Sequence, residues 1–228
     1  MDVVYILRNG IDSEELKYSL RSLKNFPHDK VWFFGGVPKG LKPDVQVAFR
    51  QEGRNKWEKV RSSLIRVCKT EELSSSFWLF NDDFFCMKPC DGIPPFYYGD
   101  LYERIAVIET RHHGMTTYSK QLRDAAQELD SKGLGILNYA LHMPLQIDKA
   151  RALVVLEEFK TCPMFRCLYG NSCEIGGVGH EDVKIMGPSE TPSPDADWLS
   201  TSDRSFSCGD VGRYIREQFK EKCEYELG

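Results

Sequence analysis

An α/β protein, with a mostly parallel sheet wrapped by helices on both faces, follows from two features of the chain. Short apolar runs alternate with segments of helical periodicity, and most runs stop at glycine, proline, asparagine or aspartate. Strand, helix, strand in that order makes neighbouring strands parallel, because a right-handed crossover brings the chain back in the same direction. With 228 residues one domain accommodates the whole chain, and its core is sizeable.

The elements come in order. Val3-Val4-Tyr5-Ile6-Leu7 is a buried strand ended by Asn9-Gly10. Ser13 caps a helix whose Leu16, Leu20 and Leu23 recur at helical spacing, and Pro27 stops it. Lys30-Val31-Trp32-Phe33-Phe34 is the second strand, closed by Gly35-Gly36, and Val45 to Phe49 the third. Lys56 to Cys68 carries Trp57, Val60, Leu64 and Val67 on one helical face. Phe77 to Phe80 is the fourth strand and Ile105 to Thr110 a further one. The Asp91–Tyr102 stretch, rich in proline, glycine and aromatics, is a structured loop. Gln121 to Ser131, Asp148 to Phe159 with Asp148 as cap, and Asp210 to Glu224 are helices; Pro188 to Pro194 is a loop.

Composition narrows the function classes. Thirty basic against thirty-four acidic residues leave a net charge of −4, so no global field draws the chain to nucleic acid or an anionic membrane. The N-terminus lacks a secretory pattern and no apolar run approaches the ~20 residues that cross a bilayer, so no membrane span is expected. Eight dispersed cysteines without a repeated CxxC frame fit reduced thiols in a cytoplasmic protein, with a zinc site from Cys162, Cys167 and Cys173 as the rarer alternative.

Chemistry concentrates at Asn81-Asp82-Asp83, embedded between Phe77-Trp78-Leu79-Phe80 and Phe84-Phe85. Burying a carboxylate costs several kcal/mol unless a cation or hydrogen-bond donors compensate it. On an extended strand Asn81 and Asp83 share one face and Asp82 points across. Two oxygen ligands suffice for Mn²⁺ or Mg²⁺ shared with a diphosphate, so Asp83 and Asn81, assisted by Asp82, are the candidate metal ligands. A strand-end turn in which these side chains cap backbone donors is the alternative.

Three blocks carry a resemblance. Asp2-Val3-Val4-Tyr5 with Asn9-Gly10-Ile11-Asp12 and the Glu15–Leu23 segment, then Asn81-Asp82-Asp83-Phe84-Phe85, then His142-Met143-Pro144 with Phe165-Arg166, resemble successive blocks of the Stealth family of sugar-phosphate transferases. That family is related in fold to GT-A-type nucleotide-sugar glycosyltransferases. The resemblance implies a single GT-A-like, Rossmann-like domain over 1–228, its nucleotide-binding half about 1–110 and its acceptor half about 111–228. One departure stands out: Leu7-Arg8-Asn9 replaces a Trp and an Asp that typically precede the first glycine, which weakens the implied phosphotransfer more than the implied fold. Gly176-Gly177-Val178-Gly179-His180-Glu181-Asp182 is similar to the glycine-rich, Glu-Asp-ended segment that shapes the acceptor pocket in many GT-A enzymes.

The resemblance implies a metal-dependent glycosyltransferase that uses a nucleotide-diphosphate sugar. Its acceptor would be a glycan, a protein, a small molecule or, less readily for an acidic chain, a modified DNA base. Asp182, with Glu181 next, is the candidate general base; these acids could equally open a helix at Val183. His142, held by Pro144, would ligate the metal or meet a donor phosphate. Arg166 would clamp phosphate through its planar fork. Arg61 and Lys56, with Arg54, precede or decorate the helix before the acidic strand, and Asp203 and Arg204 in the polar Ser200–Phe206 segment could close over the donor. A sugar-1-phosphate transferase and a non-catalytic nucleotide-sugar or carbohydrate-binding module stay open beside this reading.

Overall fold

The structure, a computed structural model, describes residues 1–10 and 12–227. Ile11, part of the first Stealth-like block, and Gly228 lie outside them. The chain runs β1 (Asp2–Leu7), α1 (Glu14–Ser22), β2 (Val31–Gly35), β3 (Val45–Val47), α2 (Lys56–Lys69), β4 (Ser76–Phe80), β5 (Phe84–Cys86), β6 (Phe96–Tyr97), α3 (Leu101–Arg111) and α4 (Thr117–Ser131). It continues through β7 (Leu145–Asp148), α5 (Lys149–Glu158), α6 (Phe165–Ser172), β8 (Val178–Gly179), β9 (Lys184–Ile185), β10 (Trp198–Thr201), α7 (Asp203–Cys208) and α8 (Asp210–Gln218).

The central sheet has the order β3-β2-β1-β4-β7. Its first four strands are parallel and β7 runs antiparallel at the edge, pairing Leu79 with Leu145. Successive side chains face opposite sides, so both faces must be covered. On one side Val4, Phe77 and Leu79 pack under α2, α4, α5 and α6 through Leu64, Val67, Leu122, Ala126, Val155 and Leu168. On the other, Val3, Tyr5, Phe33, Trp78 and Phe80 meet Leu16 and Leu20 of α1, Phe26 and Trp198. Each fully buried aromatic or aliphatic side chain contributes about 1.5–3 kcal/mol relative to exposure.

Ser13 caps α1, accepting from the Leu16 amide at 3.1 Å, and Asp148 caps α5, accepting from the Arg151 amide at 2.9 Å. Three expectations are corrected. Ile105 to Thr110 is part of helix α3, not a strand: Asp100 and Glu103 form a capping box at its start, and Leu101, Ile105 and Ile108 are its buried positions. Capping and the i, i+4, i+7 spacing outweigh the strand preference of the isoleucines and Val107. No helix opens at Val183, where the chain is extended into β9. Residues 81–83 are not strand but a turn that links β4 to β5, closed by the Phe84 amide donating to the Asn81 carbonyl at 3.4 Å.

A second sheet, β5-β10-β9, stands at the end of β4. There β10 is antiparallel to β5 and parallel to β9, with Ser200 opposite Lys184. Strands β6 and β8 form a separate parallel pair. Gly177 has φ +120°, and a Cβ there would run into the Pro95 carbonyl, so the chain passes close against β6 only as glycine. Among the described residues no helix is long and apolar enough to cross a membrane.

Candidate functional site

The turn after β4 points its acids at the second sheet. Asp83 is buried, and its Oδ2 accepts from Lys184 Nζ at 2.6 Å and from Ser200 Oγ at 2.9 Å. Sheet register makes this arrangement: Lys184 and Ser200 are paired residues on β9 and β10, so their side chains emerge on one face toward the same carboxylate. Asp82 accepts from Ser13 Oγ at 3.3 Å, and burial together with the charge of Asp83 pushes its carboxyl above the usual range. Glu15, in the first turn of α1, accepts from Thr201 Oγ1 at 2.6 Å. Burial first, and then the charges of Asp83, Asp82 and Asp203, raise Glu15 to about 7. Asn81 is exposed at the tip of the turn.

A second cluster stands at the loop before β7. His142 Nδ1 lies 2.9 Å from Asp182 Oδ2, and the His142 amide donates to Asp182 Oδ1 at 3.1 Å. Burial opposes ionisation of Asp182, but hydrogen bonds from the His142 ring and amide and from the Lys184 amide outweigh it and hold the carboxyl below its ordinary range. An ionised carboxylate only accepts, so His142 Nδ1 donates to Asp182, and among the described residues Nε2 has no partner. Asp182 and Lys184 are two residues apart on extended chain, which sends both side chains to one face. Asp182 lies two residues before Lys184, the first residue of β9, so one short segment serves both clusters.

Arg166 braces the two clusters from beneath. Its NH1 donates to the carbonyls of Leu141 at 3.1 Å and Met143 at 2.5 Å, the residues on either side of His142, and NH2 reaches the Leu79 carbonyl at 3.5 Å. The guanidinium sits 5.5 Å from the Phe84 ring centroid, and burial lowers it to about 10. Those donors are turned onto backbone, not outward as a phosphate clamp.

The remaining predicted residues divide. Asp203, at the start of α7, belongs to the acidic neighbourhood through its effect on Glu15. Arg204 and Glu181 are exposed. Lys56 lies over the ring of its neighbour Trp57 at 5.5 Å. Arg61 bonds the Leu156 carbonyl and lines a cavity of about 460 Å³ between α2, α4, α5 and α6, which includes Trp57, Lys120, Phe159 and Phe165 but neither acidic turn nor dyad. Sequence reasoning missed Lys184, Ser200, Glu15 and Thr201. Lys184 had one available signal, its place two residues after Asp182; Glu15 reads in sequence only as a helix-start acid.

Adjacent carboxylates are hard oxygen donors of the kind that Mn²⁺ and Mg²⁺ require. Yet both lone pairs of Asp83 Oδ2 are taken by Lys184 and Ser200. An ammonium at 2.6 Å also repels a dication. As arranged, Asp83 Oδ2 is closed to a divalent ion.

Among solved structures, that of the galactosyltransferase LgtC in complex with donor and acceptor sugar analogs is similar at TM-score 0.50 and 11% identity, covering 97% of this chain and 96% of that one. The fold is GT-A-like. A structure of an active-site mutant of LgtC aligns at TM-score 0.49 and 11% identity over 98% of each chain. No protein-family model matches the chain and no curated protein matches it in sequence, so the Stealth resemblance stands on its short blocks. In the GT-A-like frame the acidic turn follows the carboxyl end of β4, where open α/β sheets bind ligands.

Proposed function

We propose that the protein is a glycosyltransferase that moves a sugar from a nucleotide-diphosphate donor to an acceptor hydroxyl. The observation that carries this reading is the pairing of two unlike clusters through the Asp182–Lys184 segment: a buried, cation-paired carboxylate at Asp83 and a half-exposed His142–Asp182 dyad with a free Nε2. The GT-A-like fold supports it. His142 Nε2 takes the proton of the acceptor hydroxyl, and Asp182 holds the ring in that tautomer and offsets the imidazolium charge. The acceptor oxygen bonds to the anomeric carbon as the bond from that carbon to the phosphate oxygen breaks, and the electron pair leaves with the nucleoside diphosphate. A dependence on Mn²⁺ or Mg²⁺ is not carried into this reading, because the Asp83 oxygen already holds an ammonium and a hydroxyl. A cytoplasmic setting belongs to the proposal, supported by eight cysteines that stand as free thiols.

The test is a panel of nucleotide sugars incubated with glycan, protein, small-molecule and hydroxymethylated-DNA acceptors, following the nucleotide released. A nucleoside diphosphate is the expected product. A monophosphate would instead establish sugar-1-phosphate transfer. Binding with neither transfer nor slow donor hydrolysis would make the chain a binding module.

A further inference from the structure

We propose that Lys184 is the cation of the donor site: its ammonium, seated on Asp83, receives the diphosphate in the place where a divalent ion would stand. The proposal rests on the glycosyltransferase reading and deepens it.

The ion pair is built into the sheet. Lys184 is the first residue of β9 and is paired in register with Ser200, and both reach the same oxygen of a carboxylate that is 8% exposed. The ammonium has three N–H donors. Among the described residues Asp83 is its one acceptor, which leaves two donors for a ligand. The side chain keeps 19% of its surface exposed. The charges of Asp83, Asp82 and Asp203 converge on Glu15; of the other cations here, Arg8 acts on Asp82 from an exposed position, and the half-buried Arg166 spends its donors on the carbonyls of Leu141, Met143 and Leu79. An anion entering this acidic site needs a fixed positive charge to meet it, and Lys184 is the group so placed. During transfer the electron pair of the broken anomeric bond would come to rest on a phosphate oxygen facing this ammonium.

Calorimetric titration of the full chain with the uridine, guanosine, adenosine, cytidine and thymidine diphosphates, each in EDTA and in Mn²⁺, tests the idea without needing the acceptor. The expected result is that at least one diphosphate binds in EDTA within about twofold of its affinity in Mn²⁺. Lys184→Met then weakens it roughly 10–100-fold, the loss of one charge-assisted contact, while Lys184→Arg keeps most of it. Lys184→Met leaves a buried carboxylate unpaired, so Asp83→Asn/Lys184→Met is measured beside it as a folded control, and that variant too should bind weakly. Binding that requires Mn²⁺, or full affinity in the double variant, overturns the proposal and leaves the glycosyltransferase reading standing. No binding of any diphosphate in either buffer overturns both.

Discussion

The two clusters joined by the Asp182–Lys184 segment use the same residue types to opposite ends. At Asp83 the carboxylate is buried, and one of its oxygens, Oδ2, is held by a cation 2.6 Å away and by the Ser200 hydroxyl. At Asp182 the carboxylate is equally committed, but to an imidazole with its far nitrogen left free, and the His142 side chain keeps 34% of its surface. A carboxylate that holds an ammonium fixes charge in place, whereas one that holds an imidazole orients a ring whose far nitrogen faces outward. In the proposed reaction the first would face the leaving group and the second the attacking hydroxyl. This division follows from the neighbours and not from the acids themselves.

Three measurements would sharpen or break that contrast. The largest effect is expected at the proton-handling end: Asp182→Asn should lower kcat/KM by roughly 10²–10⁴-fold with a far smaller loss of stability, because the amide no longer fixes the tautomer that exposes Nε2. Turnover and melting temperature followed together test this, and equal losses in both would make the dyad structural. At the other end Asp83→Ala should do the reverse first. It strands a largely buried ammonium and should lower unfolding free energy by about 3 kcal/mol in denaturant titration, with turnover lost besides. If Asp83→Asn/Lys184→Met does not recover a good part of that stability, the two residues do not act as a pair.

The smallest effect concerns Glu15. Its carboxyl titrates at about 7 in the fold against about 4.3 in the unfolded chain. Between those values the native state keeps a proton that the unfolded state has released. Stability from this group is therefore complete below about pH 4.3 and is lost as pH rises through 7. Glu15→Gln should remove that slope and leave the variant roughly 2 kcal/mol more stable than the parent at pH 8, measured by chemical unfolding across pH 4 to 8. A slope unchanged in the variant would show that Glu15 does not feel Asp82 and Asp83.

Much of the frame was legible because it rests on local pattern. The runs at β1, β2 and β4 are apolar, short and bounded by breakers, and the Ser13 and Asp148 caps sit where the helical spacing begins. What escaped depends on partners distant in sequence. Strand β7 is four residues long and gains its identity from antiparallel pairing with β4; β10 hides in a polar stretch, and only pairing with β5 and β9 makes it a strand. The same holds for the site. Asp82, Asp83, His142 and Asp182 announce themselves by residue type in unusual company, whereas Lys184 is an ordinary lysine until the register with Ser200 brings it to Asp83. Arg166 illustrates the converse: a side chain with the right chemistry for phosphate, recruited to brace backbone.

Val183, between Asp182 and Lys184, acts as a one-residue ruler. Lys184 opens β9 and Asp182 lies two residues before it, so any change in the count between the two would displace one cluster from the other. The long loop from Met186 to Asp197, by contrast, hangs between β9 and β10 with several exposed positions and can change length without disturbing that ruler. Length changes there leave Asp182, Val183 and Lys184, and so the spacing of the two clusters, untouched.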